Sequence, residues 1–390
     1  MSMSTNRQPL LLTALVAVSL LLTGCSPPAS PPEGSARLAT SAPPLGADMS
    51  APLRIFYSGH SLMDRPLPDL VEQVGRAEGR GVEWDRQYRL GSLLRERTRG
   101  LAPNAPEWTG WTVGDNREGS GLDVAAALSG RVAGMAPFDA LVVTERHDIL
   151  WAMQNEATAG HLRRMHDERV KGRAEGQTWL YESWQSLSAD QIGAWAAYEE
   201  AAAGAWQCAA AEVNRSLQAE GRSDRVLSLP AARALSGLLL KATTAPGVPG
   251  LTASTTQATF DRIFKDAVHL TDAGFYYMAL VTWAFVNGQP ATAAAGPSIP
   301  GISPELAASL RQAAAEAHAQ LKAQTLSEAP VEACQQRLAA ICPAVWSYMA
   351  TRWQAEGQNW PRARWQQFKL QRQCEAGVRD GRHRLVLAGG

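Results

Sequence analysis

The chain alternates short, almost unbroken apolar runs with longer segments in which apolar residues recur every three or four positions. The short runs have the length and composition of strands buried on both faces, and the longer segments have the period of helices. The predicted strands are Leu53–Tyr57, Gly81–Gln87, Leu141–Thr144, Thr178–Tyr181 and Arg225–Leu229. The predicted helices are Leu67–Ala77, Ser188–Ala219 and Phe275–Phe285. This alternation predicts an α/β fold in which helices cover both faces of a mainly parallel sheet.

The pattern changes after residue 286, where a stretch rich in Ala, Pro and Gly predicts a connecting loop. Ser303-Pro304-Glu305 then has the hydroxyl cap, the first-turn proline and the acid of a helix start, and this helix is predicted to run to about Thr325. A second helical segment is predicted at 331–376. The predicted domains are therefore 51–325 for the α/β part and 326–390 for a helical C-terminal extension. A separate C-terminal binding module is the alternative, although it is short for an independent core.

The N-terminus has the features of an export signal. Leu10 to Leu22 is an apolar run of 13 residues, which is short for a membrane span of about 20 residues. It ends in Leu22-Thr23-Gly24-Cys25, which resembles a bacterial lipoprotein signal. The resemblance implies removal of residues 1–24 and lipidation of Cys25, and Ser26 in place of an aspartate implies the outer membrane. An ordinary secretory signal with an incidental cysteine is the alternative.

Residues 25–50 predict a tether. They contain six prolines among Ser, Ala and Gly, and almost no large apolar residues. Such a segment cannot bury enough surface to fold, and it is expected to act as a semi-extended spacer. We therefore expect a folded part held at the bacterial cell envelope by a lipid anchor, facing the periplasm.

Charge and cysteine content narrow the class of protein further. The formal net charge is zero and the pI is about 7.1, which argues against a nucleic-acid partner. Besides Cys25 there are four cysteines, which allow two disulfides in an oxidising compartment and fit no zinc pattern: Cys208, Cys334, Cys342 and Cys374. Cys334 and Cys342 are eight positions apart on a predicted helix, roughly 12 Å, too far to pair with each other. We favour a bond from one of them to Cys374, and buried free thiols are the alternative.

Two segments carry the residues of a nucleophilic site. Ser58-Gly59-His60-Ser61-Leu62 follows the first predicted strand, and Asp266-Ala267-Val268-His269 precedes the last predicted α/β helix. A serine at a strand-to-helix turn can present its hydroxyl at the end of a sheet. A histidine can take its proton, and an aspartate can orient the imidazole. Ser61, Asp266 and His269 are the predicted catalytic residues.

These segments resemble two sequence blocks of the SGNH (GDSL-type) hydrolases. The first resembles block I, with His60 where the family usually has an aspartate, and the second resembles the Asp-x-x-His block V. The resemblance extends over roughly Leu53 to Phe285. It implies a three-layer α/β/α fold, of the SGNH or flavodoxin-like kind, that hydrolyses esters, often O-acetyl groups on carbohydrate.

The resemblance implies an oxyanion hole from two further blocks. Gly91 is the best match to the glycine of the second block, and Glu145-Arg146-His147-Asp148 stands where the third block usually reads Gly-x-Asn-Asp. His147 thus replaces the donor asparagine, and an imidazole can still donate one N–H. Alternatively, Arg146 or Glu145 sets a preference for substrate charge. Glu182, just after the fourth predicted strand, is a further candidate for substrate contact.

The sequence therefore predicts an envelope-anchored serine esterase that acts on acyl groups, plausibly of a glycan, with no metal and no organic cofactor. Two other functions stay open. The replaced third block and the C-terminal extension favour a non-catalytic binding or assembly lipoprotein. The same triad would also serve an acyltransferase, if the site excluded water from the acyl-enzyme.

Overall fold

The computed structural model describes residues 51–99, 114–292, 296 and 299–380. The predicted signal peptide, the lipidated Cys25 and the tether lie outside the described residues, so their assignments stay predictions. Among the described residues, no helix is both long enough and apolar enough to cross a bilayer.

A sheet of seven strands in the order β4-β3-β2-β1-β5-β6-β7 forms the centre of the fold. Four neighbouring pairs are parallel, and the two pairs that involve β3 are antiparallel. The strands are β1 Leu53–Gly59, β2 Val82–Tyr88, β3 Gly114–Asn116, β4 Gly121–Leu122, β5 Ala140–Thr144, β6 Gln177–Tyr181 and β7 Val226–Leu229. The five predicted strands and the mainly parallel α/β class are confirmed. The two short strands β3 and β4 were not predicted.

Helices connect the parallel strands and cover the sheet. They are α1 Leu67–Ala77, α2 Leu94–Arg99, α3 Val124–Leu128, α4 Ile149–Asn155, α5 Thr158–Gly172, α6 Ile192–Ala219, α7 Ala231–Thr243, α8 Thr256–Phe260, α9 Asp272–Val286, α10 Pro304–Leu321, α11 Val331–Ala355 and α12 Trp360–Arg379. α9 packs against α1 and α10, whereas α5 packs against α3 and α6. Right-handed crossovers to either side of β1 put these two groups on opposite faces of the sheet.

The position of β1 determines where a site can form. β2 lies on one side of β1 and β5 on the other, so the connections leaving β1 and β5 diverge to opposite faces. Ligands of open α/β sheets bind at such a switch point, beyond the carboxyl ends of the strands. Ser61 follows β1 and His147 follows β5, so both lie at this edge.

The C-terminal region is helical, as predicted, and two disulfides join it to the rest. Cys208–Cys334 links α6 to α11, and Cys342–Cys374 links α11 to α12, with Cα separations of 5.6 and 5.9 Å. The expected bond from Cys334 or Cys342 to Cys374 is thereby confirmed for Cys342. α11 packs along α6, so this region lies against the α/β part rather than apart from it.

The segment between α10 and α11 also returns to the sheet. α10 begins at the Ser303 cap, as predicted, but ends at Leu321, before one 3-10 turn. The backbone N–H of Ser228 on β7 then donates to the carbonyl of Thr325 at 2.7 Å. The edge strand β7 thereby pairs backbone groups of this segment.

Candidate active site

A tight turn after β1 presents Ser61. The N–H of Met63 donates to the carbonyl of His60 at 2.8 Å, which closes the turn. A Cβ at Gly59 would lie 2.8 Å from the Cβ of Met63, so this close approach requires a glycine. Ser61 itself is half-buried, while the residues on either side of it, His60 and Leu62, are buried. The hydroxyl of Ser61 is thus held at the sheet edge and accessible from solvent.

The Asp266–His269 loop is organised by the Asp266 carboxylate. One oxygen accepts the backbone N–H groups of Val268 and His269 at 2.8 and 2.7 Å, and the other lies 2.8 Å from Nδ1 of His269. Partial burial acts to raise the pKa of Asp266, but these hydrogen bonds outweigh it and hold the pKa below its ordinary value. The carboxylate therefore stays ionised and keeps the Nδ1 proton on the imidazole.

The opposite edge of the His269 imidazole faces the serine. Nε2 of His269 lies 3.1 Å from Oγ of Ser61. With the proton on Nδ1, Nε2 carries a lone pair and accepts from the serine hydroxyl. Thus the structure brings the three predicted residues, Ser61, His269 and Asp266, into one hydrogen-bonded line.

A neighbouring segment, 182–188, holds this loop in place. The indole N–H of Trp184 donates to the carbonyl of Val268 at 2.9 Å, and the N–H of Leu187 donates to the carbonyl of Ala267 at 2.8 Å. Trp184 and Leu187 are both fully buried. These two buried residues therefore fix the position of His269, although the loop that contains it is half-exposed.

Gly91 lies in an exposed turn after β2 with φ of +60°. No described heavy atom lies within 4 Å of the position that a Cβ would take, so conformation and not space favours glycine here. The N–H of Arg89 donates to the carbonyl of Gly59 at 3.2 Å, which ties this turn to the serine turn. Gly91 is thus near the serine turn, and its role as a donor stays a prediction.

His147 is half-buried beside the serine turn. Its ring centroid is 6.5 Å from that of His60, the residue before Ser61. Burial lowers the pKa of both histidines, to about 3 for His60, where Arg97 adds to the effect. Both rings are therefore neutral near pH 7, and each has one N–H. Nε2 of His60 donates its proton to the carbonyl of Glu145 at 3.3 Å, whereas His147 is the candidate oxyanion donor.

Two predicted substrate contacts need correction because both side chains are fully buried. The Glu145 carboxylate accepts from Leu94 N, Arg146 N and Thr158 Oγ1 at 2.8–2.9 Å. Glu182 forms an ion pair with Arg233 at 3.0 Å. Neither carboxylate has an oxygen open to a substrate, so both hold the scaffold together.

Arg146 keeps a position at the edge of the site. Its guanidinium makes two 2.7 Å hydrogen bonds to Asp148, and its carbon Cζ lies 5.2 Å from the centre of the Trp151 ring. The side chain is about 30% exposed. It is thus a fixed, partly accessible positive charge, and its contact with substrate stays a prediction.

Sequence reasoning missed Arg97, which lies on α2 beneath the site. It is 1% exposed, and it donates to Ser58 Oγ at 3.1 Å, to Ser92 Oγ and O at 2.7 and 3.0 Å, and to Thr144 O. Burial lowers its pKa to about 10, so it remains charged at neutral pH. Arg97 joins the ends of β1 and β5 to the turn that contains Gly91. Its neighbours in sequence are also charged, so this segment has the composition of a solvent-exposed helix face, and the sequence does not mark Arg97 as buried.

Among the described residues there is no cluster of three or more His, Cys, Asp or Glu side chains able to hold a metal ion. His161 and His166 lie in the charged helix α5, and both are buried. The ring of His166 lies 2.7 Å from Asp224 and 3.0 Å from Thr178 Oγ1.

No protein-family model and no curated protein matches the chain. Among solved structures, the chain is similar to the crystal structure of a DUF4886 family protein from Bacteroides uniformis. The identity is 14%, the match covers 69% of this chain and 96% of that chain, and the TM-score is 0.45. A similarity at this level carries no argument about function, which must rest on the residues of the site.

Proposed function

We propose that this protein is a serine ester hydrolase of the SGNH type. The observation that carries the proposal is the line from Ser61 Oγ to His269 Nε2, at 3.1 Å, and from His269 Nδ1 to Asp266, at 2.8 Å. A nucleophile, a base and a group that orients the base within hydrogen-bond reach are the signature of an activated serine.

In the proposed reaction, Ser61 Oγ attacks the ester carbonyl carbon while Nε2 of His269 takes the hydroxyl proton. The imidazolium, stabilised by Asp266, then gives this proton to the departing alcohol oxygen. A water molecule attacks the acyl-enzyme with His269 again as the base, and the carboxylic acid leaves as Ser61 recovers its proton. No metal or organic cofactor takes part in this scheme.

The negative charge of the tetrahedral intermediate needs donors. The N–H groups of Ser61 and Gly91 and the neutral imidazole of His147 are the proposed set. The pKa of His147 is lowered by burial, so at neutral pH it offers one N–H without bringing a positive charge into the site. One donor of this kind contributes about 10²–10³ in rate.

The substrate and location in this proposal rest on the sequence. We propose O-acetyl or short acyl groups, plausibly on a glycan, as the substrate, and a lipid on Cys25 as the anchor to the outer membrane. Arg146, which is partly exposed and paired with Asp148, is the proposed contact for a charged group of the substrate.

A second candidate is a non-catalytic binding or assembly lipoprotein with the same fold. It is favoured by one observation: His147 occupies the position where the third block of the resembling family has its donor asparagine. The intact contact between Ser61 and His269 argues against it.

A fluorophosphonate probe separates the two candidates, because it reacts only with an activated serine. We expect covalent labelling that maps to Ser61 by peptide mass spectrometry and is lost in Ser61→Ala. The matched control is Ser254→Ala, an exposed serine, which should label like the parent. Absence of labelling in a folded parent would support the binding module.

A further inference from the structure

A cavity of about 140 Å³ lies between the loop that follows β5 and the C-terminal helix α11. Its walls include Asp148, Trp151, Gln185, Tyr198, Trp346 and Met349. Trp346 and Met349 belong to α11, so the C-terminal region supplies one side of the cavity. Nothing in the proposed mechanism uses this cavity or gives α11 a role.

The α11 wall is fixed to the α/β part. The Cys208–Cys334 disulfide joins the first turn of α11 to α6. Further along α11, the hydroxyl of Tyr348 donates to the carbonyl of Ser186 at 2.6 Å, and its ring lies 4.8 Å from the ring of Tyr198. Tyr198 and Tyr348 are both buried. The cavity is therefore built by the packed structure, and it does not depend on a loose appendage.

The lining indicates the chemistry of an occupant. Most of the wall is aromatic or aliphatic, and a cavity of about 150 Å³ with apolar walls accommodates a benzene ring. The fitting group is thus apolar and of ring size.

Two segments that line the cavity also lead to the candidate active site. Asp148 directly follows His147, whose ring is 6.5 Å from the ring of His60, the neighbour of Ser61. Gln185 belongs to the segment 182–188, which is bonded to the loop of His269. The same two segments thus contribute to the wall of the cavity and to the support of the candidate active site.

We propose that this cavity is the binding subsite for an apolar, ring-sized group of the ester, and that α11 exists in this protein as its wall. The role of the cavity in turnover rests on the proposed esterase function, whereas binding of an apolar group in the cavity does not depend on it. The proposed substrate then carries an apolar ring-sized group, either in its alcohol part beside an acetyl or short acyl group, or within a larger acyl group.

Binding is tested without catalysis, on the whole chain carrying Ser61→Ala, with 4-fluorobenzyl alcohol as the probe and ¹⁹F NMR as the readout. We expect saturable binding that weakens at least tenfold when Met349→Trp fills the cavity. Trp346→Phe, which removes part of the aromatic wall, should weaken it several-fold. Trp365→Ala is the matched control, because Trp365 is 64% exposed on α12.

Equal binding in Met349→Trp, Trp346→Phe and the control, all folded by circular dichroism, would overturn the proposal, as would absence of saturable binding. Trp346→Phe keeps the test decisive if Met349→Trp does not fold.

Turnover distinguishes the acyl from the alcohol part. These measurements use the parent protein, in which Ser61 is intact. The kcat/KM for benzyl acetate divided by that for methyl acetate reports binding of the alcohol part. The kcat/KM for methyl phenylacetate divided by that for methyl acetate reports binding of the acyl part. Met349→Trp should lower one ratio at least tenfold, and Trp365→Ala should lower neither. Unchanged ratios beside lost probe binding would overturn the role in substrate binding. Probe binding in a folded protein that hydrolyses none of the three esters and is not labelled by the fluorophosphonate would refute the esterase and support the cavity as a binding site.

Discussion

Nε2 of His269 lies 3.1 Å from Oγ of Ser61, although 208 positions separate the two residues in the chain. β1 carries the serine to the middle of the sheet edge, and the segment 182–188 holds the histidine loop against it. Only the folded sheet brings these two segments together. Loss of the fold would therefore remove the contact.

Asp266→Asn tests how the imidazole is oriented. The amide cannot hold the Nδ1 proton in the way that a carboxylate does, so the imidazole is expected to lose its catalytic tautomer. We expect kcat to fall about 10³-fold or more with little change in KM. Asp261→Asn, an exposed aspartate before the same loop, should retain parent activity. Equal kcat values for Asp266→Asn and the parent would exclude the proposed role of Asp266.

His147 variants test the altered third block. His147→Ala removes the imidazole donor and should lower kcat about 10²–10³-fold. His147→Asn restores a side-chain N–H donor and should recover activity to within about tenfold of the parent. Steady-state kinetics on a short-chain aryl ester measures both. If His147→Ala and His147→Asn lose the same activity, or neither loses any, His147 is not an oxyanion donor.

Arg97 variants test the buried support of the site. Arg97→Met removes the buried positive charge that favours the ionised form of Glu145, and it leaves Ser58, Ser92 and Thr144 without the guanidinium donor. Breaking such an arrangement typically costs about 3–5 kcal/mol of unfolding free energy. Urea denaturation measures it, with Arg76→Met as the control on the surface of α1, where a loss below about 1 kcal/mol is expected. Similar losses in the two variants would contradict a structural role for Arg97.

His60 gives the protein a specific pH dependence of stability. Burial, with smaller effects of Arg97 and His147, lowers its pKa from 6.5 to about 3. Between these two values the unfolded chain binds a proton that the folded chain does not, so stability falls as the pH falls through this window. The slope from this one residue is at most about 1.4 kcal/mol per pH unit.

His60→Asn removes this proton from the unfolded chain. Its unfolding free energy in urea should fall less steeply than that of the parent between pH 6 and pH 4. The variant keeps part of the slope, because burial also lowers the pKa of His147 and His166, which are present in both proteins. Parallel slopes in parent and variant would show that His60 is not buried and neutral.

The sheet was predictable because buried parallel strands leave a direct mark on the sequence. β5, for example, is an apolar run in which every residue is buried. β3 and β4 leave no such mark, since they have three and two residues, mostly polar or glycine. Their pairing depends on the neighbouring strand β2, and local sequence does not encode it.

The site was predictable where a motif is local and not where charge is buried. Asp266 and His269 form a loop motif, so their contact follows from the sequence. Glu145 and Arg97 look like solvent-exposed residues, yet both are buried, because tertiary packing supplies hydrogen-bond partners that are distant in sequence. The cavity wall on α11 depends in the same way on how the C-terminal region docks on α6.

The most direct measurement is hydrolysis of a short-chain aryl ester by the parent protein beside Ser61→Ala, with the fold of both checked by circular dichroism. The proposed triad predicts turnover in the parent and a loss of at least 10³-fold in Ser61→Ala, while Ser254→Ala keeps the parent rate. Hydrolysis that persists in Ser61→Ala, or a folded parent with no hydrolysis above the uncatalysed rate, would contradict the proposal that Ser61 is the nucleophile of an esterase.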